Sequence, residues 1–320
     1  MRSTSIDLLR TLTARGPLPR RALAATCGLR SADLERCMAR LSGSGFVTSE
    51  GDIVRLTAPF DFLDAGRIRD GLGERAARVE VEVRDACAST SSALMSESPT
   101  RSARLLLAED QVSGRGRRGR RWLSCVGSGL AMSLRSPFSR SARELAALPL
   151  AAGVAAARAL RSFGAADASL KWPNDLLVHG AKLGGILVET RAAGDSVIAV
   201  VGIGINCRAS PALAARLGQR IAALDEFVAP CPSRSDVAAR VALELLDAME
   251  TFDAVGLAGF RDEWEALHAY AGQRLRVRLA GGRVVAGVVD GLAEDGGLRL
   301  RTRSGVRAIR SGRVVSARVA

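Results

Sequence analysis

The chain has 320 residues, too many for one ordinary domain and enough for two or three, each able to bury a core without disulfide staples. Its hydrophobic fraction of 48% is that of a globular protein, and no uninterrupted apolar run reaches the roughly 18 residues of a membrane span, so no membrane partner is expected. The net charge of +13 implies attraction to phosphates, whether on nucleic acid or on nucleotides. Of the 46 basic residues only Lys171 and Lys182 are lysines. Six cysteines without a C-x-x-C pair read as reduced thiols, and two distant histidines leave no metal site or His-based triad to propose. Asp7 and Arg10 interrupt the N-terminal apolar run, so it does not resemble a secretory signal, and the expected compartment is the cytoplasm.

Within residues 1–60, apolar positions recur at helical spacing: Ile6, Leu9, Leu12; Leu18, Leu23, Ala24; and Leu34, Met38, Leu41. Three short helices are predicted. Gly28 suits a tight turn before the third, Ser31 its N-cap, and Asp33 its first turn. Gly43 and Gly45 end that helix, and Phe46-Val47 with Ile53 to Leu56 around Glu50-Gly51-Asp52 predict a hairpin wing. The expectation is a winged helix-turn-helix, a unit that also serves for protein docking or as pure structure. If it binds DNA, Arg20, Arg21, Arg30 and Arg55 could reach phosphates, with Arg36 and Arg40 on the recognition helix beside the opposing Asp33 and Glu35.

Residues 61–270 read as an α/β or α+β domain of catalytic size. Helices are predicted over 67–87, 144–163, 237–252 and 259–268, and strands over 105–107, 130–134, 176–178, 185–188 and 197–201. Ser89-Thr90-Ser91 offers hydroxyls for a small polar head group, although such triplets commonly cap helices. Gln111 then leads into a loop in which five arginines and three glycines fill positions 114–121, before Trp122. Gly114 to Gly119 fits G-x-G-x-x-G, but no packed helix follows and no acidic residue stands at the required distance, so a dinucleotide fold is not supported. An anion-binding loop fits better: glycines allow close backbone approach and guanidinium forks suit phosphate and carboxylate.

Lys171-Trp172-Pro173-Asn174-Asp175 and Lys182-Leu183-Gly184-Gly185-Ile186-Leu187-Val188-Glu189 hold both lysines of an arginine-rich chain, eleven residues apart. A compact ammonium at these points differs in geometry from a planar guanidinium, and both lysines read as functional. Val201 to Asn206 is an apolar strand running into glycines, suited to a flat ligand. Over 271–320 the apolar period shifts to 2, with Gly281-Gly282 and Gly296-Gly297 as turns, and a small β-barrel is predicted.

Together these residues resemble the biotin protein ligase family in its bifunctional bacterial form, which carries an N-terminal DNA-binding domain. The likeness runs through Gly-Arg-Gly-Arg-Arg-Gly-Arg (114–120), Lys-Trp-Pro-Asn-Asp (171–175), Lys-x-x-Gly-Ile-Leu-x-Glu (182–189) and Gly-x-Gly-Ile-Asn (202–206), in the family's order. One departure is Ser91, where the family usually has Asn. The resemblance implies an α+β protein: a winged helix-turn-helix (1–60), a mixed-sheet ligase domain like that of class II synthetases (61–270) and an SH3-like barrel (271–320). It implies activation of biotin by ATP to an adenylate, then transfer to a lysine of the biotin carboxyl carrier protein of acetyl-CoA carboxylase.

By the same resemblance Ser89, Thr90, Ser91, Gln111, Arg115, Gly116, Arg117, Trp122 and Lys182 bind biotin. Arg118, Arg120, Lys171, Asn174 and Asn206 bind ATP, and Lys182, Arg115, Arg117, Arg118 and Asp175 carry the chemistry, with Mg2+ on the phosphates. Operator DNA and a homodimer formed on adenylate binding are the further partners it implies. A lipoate-type ligase, and a DNA-binding small-molecule sensor without ligase activity, are the alternatives.

Overall fold

A computed structural model describes residues 3–98, 100, 102–218 and 220–318; residues 1, 2, 319 and 320, at the extremes of the first and last expected segments, lie outside it. Helix α1 (Thr4–Arg15), strand β1 (Leu18–Pro19), helices α2 (Arg20–Thr26) and α3 (Ser31–Gly43) and strands β2 (Val47–Glu50) and β3 (Ile53–Leu56) form the first unit. Ile6, Leu9, Leu12, Leu23, Leu34, Met38 and Leu41 close its core against Val47 and Val54, as their three-and-four spacing demands. Gly28 turns with φ +65°, but Ser31 lies inside α3, which starts at the residue-30 cap without a side-chain hydrogen bond. The two-residue strand β1, absent from the helical reading, pairs with β3.

This unit is clamped to the rest of the chain. Arg40 on α3 forms a bidentate pair with the buried Asp110 at 2.5 and 2.6 Å, and Arg10 pairs with Asp85. Phe60 seals the joint between Phe46 and Val126. Beneath it the fully buried Arg234 lies over the Phe60 ring, donates to the Asp61 carbonyl and meets Glu109 at 2.8 Å.

The central unit runs through α4 (Ala65–Leu72), β4 (Val79–Cys87), α5 (Thr90–Ser96), β5 (Ala103–Gln111), β6 (Gly129–Phe138), α6 (Leu148–Ser162), β7 (Ser169–Lys171), β8 (Asp175–Val178), β9 (Ala181–Ala193), β10 (Ser196–Asn206), α7 (Pro211–Leu217), α8 (Arg234–Val255) and α9 (Arg261–Leu267). The predicted helix over 67–87 is corrected: it ends at Leu72, and Val79, Val81 and Val83 alternate along a strand, period 2 with β-branched side chains prevailing over the helical reading. Among the described residues seven strands make one mixed sheet, β4-β5-β6-β10-β9-β8-β7, parallel at β4/β5 and antiparallel elsewhere. Helices α6 and α8 cover one face. The stretch 144–162 is long and apolar enough to cross a membrane by length and composition, yet it is buried, with Gly153 letting α6 close on Leu170.

The last unit has strands β11 (Arg274–Arg278), β12 (Val284–Leu292), β13 (Leu298–Thr302), β14 (Gly305–Ile309) and β15 (Arg313–Arg318), antiparallel in the order β14-β13-β12-β11-β15. Leu275, Val277, Val289, Leu298 and Leu300 continue the central core without a break. Trp172 Nε1 donates to the Gly296 carbonyl across the joint, and the Leu292 amide donates to Glu265.

Candidate active site

On the sheet face opposite α6 and α8, alternation along β10 makes a floor. Val201, Ile203 and Ile205 serve the core, while Gly202, Gly204 and Asn206 point the other way. Trp122 lies so close over Gly204 that any Cβ there would overlap the indole, and a Cβ at Gly202 would overlap the Ser91 hydroxyl. The result is a cleft of about 280 Å³.

One end is neutral and hydroxylic. Ser89 caps α5 by accepting from the Ser92 amide, so the capping and ligand-binding readings of the triplet coincide in space. Gln111 Oε1 accepts from the Thr90 amide at 2.9 Å and the Thr90 hydroxyl at 3.2 Å. Ser133, fully buried on β6, bridges Thr90 Oγ1 at 2.7 Å and Ser91 Oγ at 2.9 Å. Sequence reasoning passed over Ser133, although a lone hydroxyl in the apolar run Leu130–Leu134 was the available signal.

The arginine-rich loop forms the wall. The Gly116 amide donates to the Arg120 carbonyl and the Trp122 amide to the Gly114 carbonyl, with Arg118 and Gly119 at positive φ between them. Arg115 pairs with Glu189 at 2.8 Å and donates to Ser92. Arg117 is pushed below the usual guanidinium range by burial and then by Arg118 and Arg120, the electrostatics of a loop that favours an anion. Arg117, Arg120 and Arg121 line the cleft; Arg118 turns away and donates to Ser311 in the last unit at 2.6 Å.

At the far end Lys182 Nζ contacts Asp175 Oδ1 at 2.5 Å and stands 5.8 Å from the Trp122 ring. Lys171 lies behind Asp175, 4.0 Å from its other oxygen and outside the lining, its pKa lowered by burial against the opposing pull of Asp175. Asn174 and Asn206 line the cleft but spend their amides on backbone carbonyls, Ile186 for the first and Ala222 for the second. Arg313, from β15, completes the cationic rim; it escaped sequence reasoning because it is remote in the chain from every motif. No cluster of three metal-ligating side chains occurs among the described residues. Such a cleft fits a ligand with a neutral polar head, an apolar middle and an anionic end.

The arginines expected on DNA are less available. Arg20 pairs with Glu35, and Arg30 and Arg36 both pair with Asp33, while Arg21 is exposed. Arg40 points to Asp110 on β5, not outward: a buried carboxylate there needs a cation, and α3 supplies it.

Fold and cleft resemble those of the biotin and lipoate protein ligases. Residues 86–206 match the biotin/lipoate A/B protein ligase family and residues 270–315 the biotin protein ligase C terminal domain. The chain is 34% identical over 195 residues to the bifunctional ligase/repressor BirA of Escherichia coli, covering 61% of this chain and 60% of that protein's length. Against BirA of Salmonella typhimurium it is 32% identical over 260 residues, 81% of this chain and 79% of the relative. A biotin protein ligase from Aquifex aeolicus, solved in complex with biotin and ATP, superposes with a TM-score of 0.63 at 29% identity over 75% of this chain and 99% of that one. The chain belongs to the biotin protein ligase family.

Proposed function

We propose that this protein activates biotin with ATP and transfers the biotinyl group to a lysine of a biotin carboxyl carrier protein. The observation that carries this reading is the meeting, in one cleft, of the Thr90, Ser91 and Gln111 polar end, the Trp122 wall and the Lys182 and arginine end. A ureido ring suits the first, an aliphatic tail the second, and a carboxylate with an α-phosphate the third. The biotin carboxylate oxygen attacks the α-phosphorus, the bond to the β-phosphate bridge breaks, and pyrophosphate leaves. The nucleophile is already anionic, so the residues need only position it and neutralise charge.

Lys182 would exchange part of its contact with Asp175 for the carboxylate and α-phosphate. Arg115 and Arg117 would close over the adenylate, Arg120 would meet phosphates with Arg118 joining it on leaving Ser311, Asn174 and Asn206 would shape the nucleotide site, and Lys171 would act on it through Asp175. In the second step the carrier amine attacks the acyl carbon and AMP leaves. A free lysine is mostly charged at neutral pH, and Asp175 would orient it or accept its proton. Mg2+ on the phosphates would supply further charge neutralisation, and Asp175 is the carboxylate among the described lining residues that would hold it.

Residues 1–60 are proposed as a winged helix-turn-helix that binds operator DNA, 61–270 as the ligase domain and 271–320 as an SH3-like barrel, with a homodimer forming on the adenylate. BirA, the name of the relatives, is a ligase and repressor in one chain, which supports the DNA reading. The test is biotin-dependent exchange of pyrophosphate into ATP with MgATP present. Exchange is expected with biotin and absent with lipoate; no exchange with biotin would overturn the proposal.

A further inference from the structure

The +13 charge is not spread evenly. Residues 1–60 hold nine basic against five acidic residues and residues 61–270 hold 26 against 25, whereas residues 271–320 hold eleven arginines against three carboxylates. A chain-wide preference for arginine over lysine does not explain a net +8 in the last fifty residues. The cleft uses only Arg313 of these eleven.

Strand geometry sorts the remainder. On β11 Leu275 and Val277 enter the core, which leaves Arg274, Arg276 and Arg278 exposed on the opposite face, about 6.8 Å apart in succession. The register places Val288, Ala286 and Val284 of β12 beside them, and Arg301 of β13 beyond Val288. Two of the unit's acids are already engaged: Asp290 with Arg299 and Arg301, Asp295 with Arg310. No carboxylate among the described residues pairs with Arg274, Arg276 or Arg278. Holding three like charges in a row without counter-ions is unfavourable, and a polyanion relieves it.

We propose that this outer face of the last sheet binds the phosphate backbone of duplex nucleic acid, independently of base sequence and separately from the N-terminal unit. Small aliphatic side chains of β12 flank the row on one side, and on the other β15 sets Ser316 beside Arg276 and the cleft residue Arg313 beside Arg278. The face offers no aromatic ring, so it lacks both the stacking platform of a single-strand binder and the aromatic anchor usual at a protein interface. Regularly spaced guanidinium groups on an open surface are what phosphate contacts use.

The experiment measures binding of the full chain to a short random-sequence DNA duplex across a salt series. It compares wild type with the triple variant Arg274→Ser, Arg276→Ser, Arg278→Ser, the corresponding triple lysine variant, and Arg21→Ala. The serine variant is expected to bind at least tenfold more weakly, with its log–log salt slope reduced by about 2 to 3, while the lysine variant keeps both. Unchanged slope and affinity in the serine variant would overturn the proposal, as would a loss seen only with Arg21→Ala. Should the serine variant bind DNA normally but slow biotin transfer to a carrier while pyrophosphate exchange is intact, the face docks an acidic protein and the proposal is wrong. Arg276→Ser alone, with a slope change of about 1, keeps the test decisive if the triple variant does not fold.

Discussion

At Lys182 the difference between an ammonium and a guanidinium has a measurable meaning. Its Nζ sits between Asp175 and the Trp122 ring, where a planar fork would meet the indole. Lys182→Arg is expected to lower kcat for pyrophosphate exchange on the order of 100-fold despite retained charge, and near-normal exchange would remove Lys182 from the mechanism. Ser133 acts at one remove, by fixing the hydroxyls of Thr90 and Ser91. Ser133→Ala should raise KM for biotin about fivefold to tenfold, the value of one net hydrogen bond, with kcat nearly unchanged. A fall in kcat at constant KM would instead mark it as structural. His268 is buried, stacked on Trp264, and held by burial at a pKa of about 4. The unfolded chain therefore takes up its proton first, near pH 6.5. Stability should be full above that pH and decline towards pH 4 by on the order of 3 kcal/mol, then flatten in this respect. Urea unfolding across that range checks it, and His268→Phe should abolish this component.

Strand β5 shows what could and could not be read in advance. Its apolar run, the helices of α6 and α8 and the core alternation of β11 to β13 were legible because each buries one face, which fixes a period. Val79 to Cys87 reads as helix because α4 and a 3-10 stretch over Gly73–Arg78 precede it and Arg84 and Asp85 hide the alternation. Ser89, Gln111, Trp122 and Lys182 were legible through local motifs. Arg313 and the partner of Arg40 were not, since both depend on packing between segments remote in sequence. Three successive residues of β5 serve three neighbours: Glu109 holds Arg234 and the Leu63 amide, Asp110 holds Arg40, and Gln111 holds Thr90. Arg40→Ala should thus lower stability by about 1–3 kcal/mol, discounted for its partial exposure, without acting on DNA directly. Arg21→Ala, at an exposed site without an ion pair among the described residues, should leave thermal stability unchanged and reduce the salt slope of DNA binding by about 1. If Arg40→Ala changes only DNA affinity, its pairing with Asp110 has been assigned the wrong role.

The molecule as a whole is one continuous core from the central sheet to the last strand, with the N-terminal unit pinned to it by ion pairs and a Phe60 plug. Its two lysines are half-buried and flank Asp175, Lys182 in the cleft and Lys171 behind it, and every arginine carries a guanidinium too strongly protonated to attack an acyl group. An acyl adenylate that escaped the cleft would find few amines on the protein that made it. Substitution of Arg115 or Arg117 should release adenylate faster, and mass spectrometry should then find biotin on a lysine-rich bystander protein far more than on this chain. With lysines only beside Asp175, the protein would be a poor target of the reactive product proposed for it, so its working life need not depend on how tightly the arginine loop is shut.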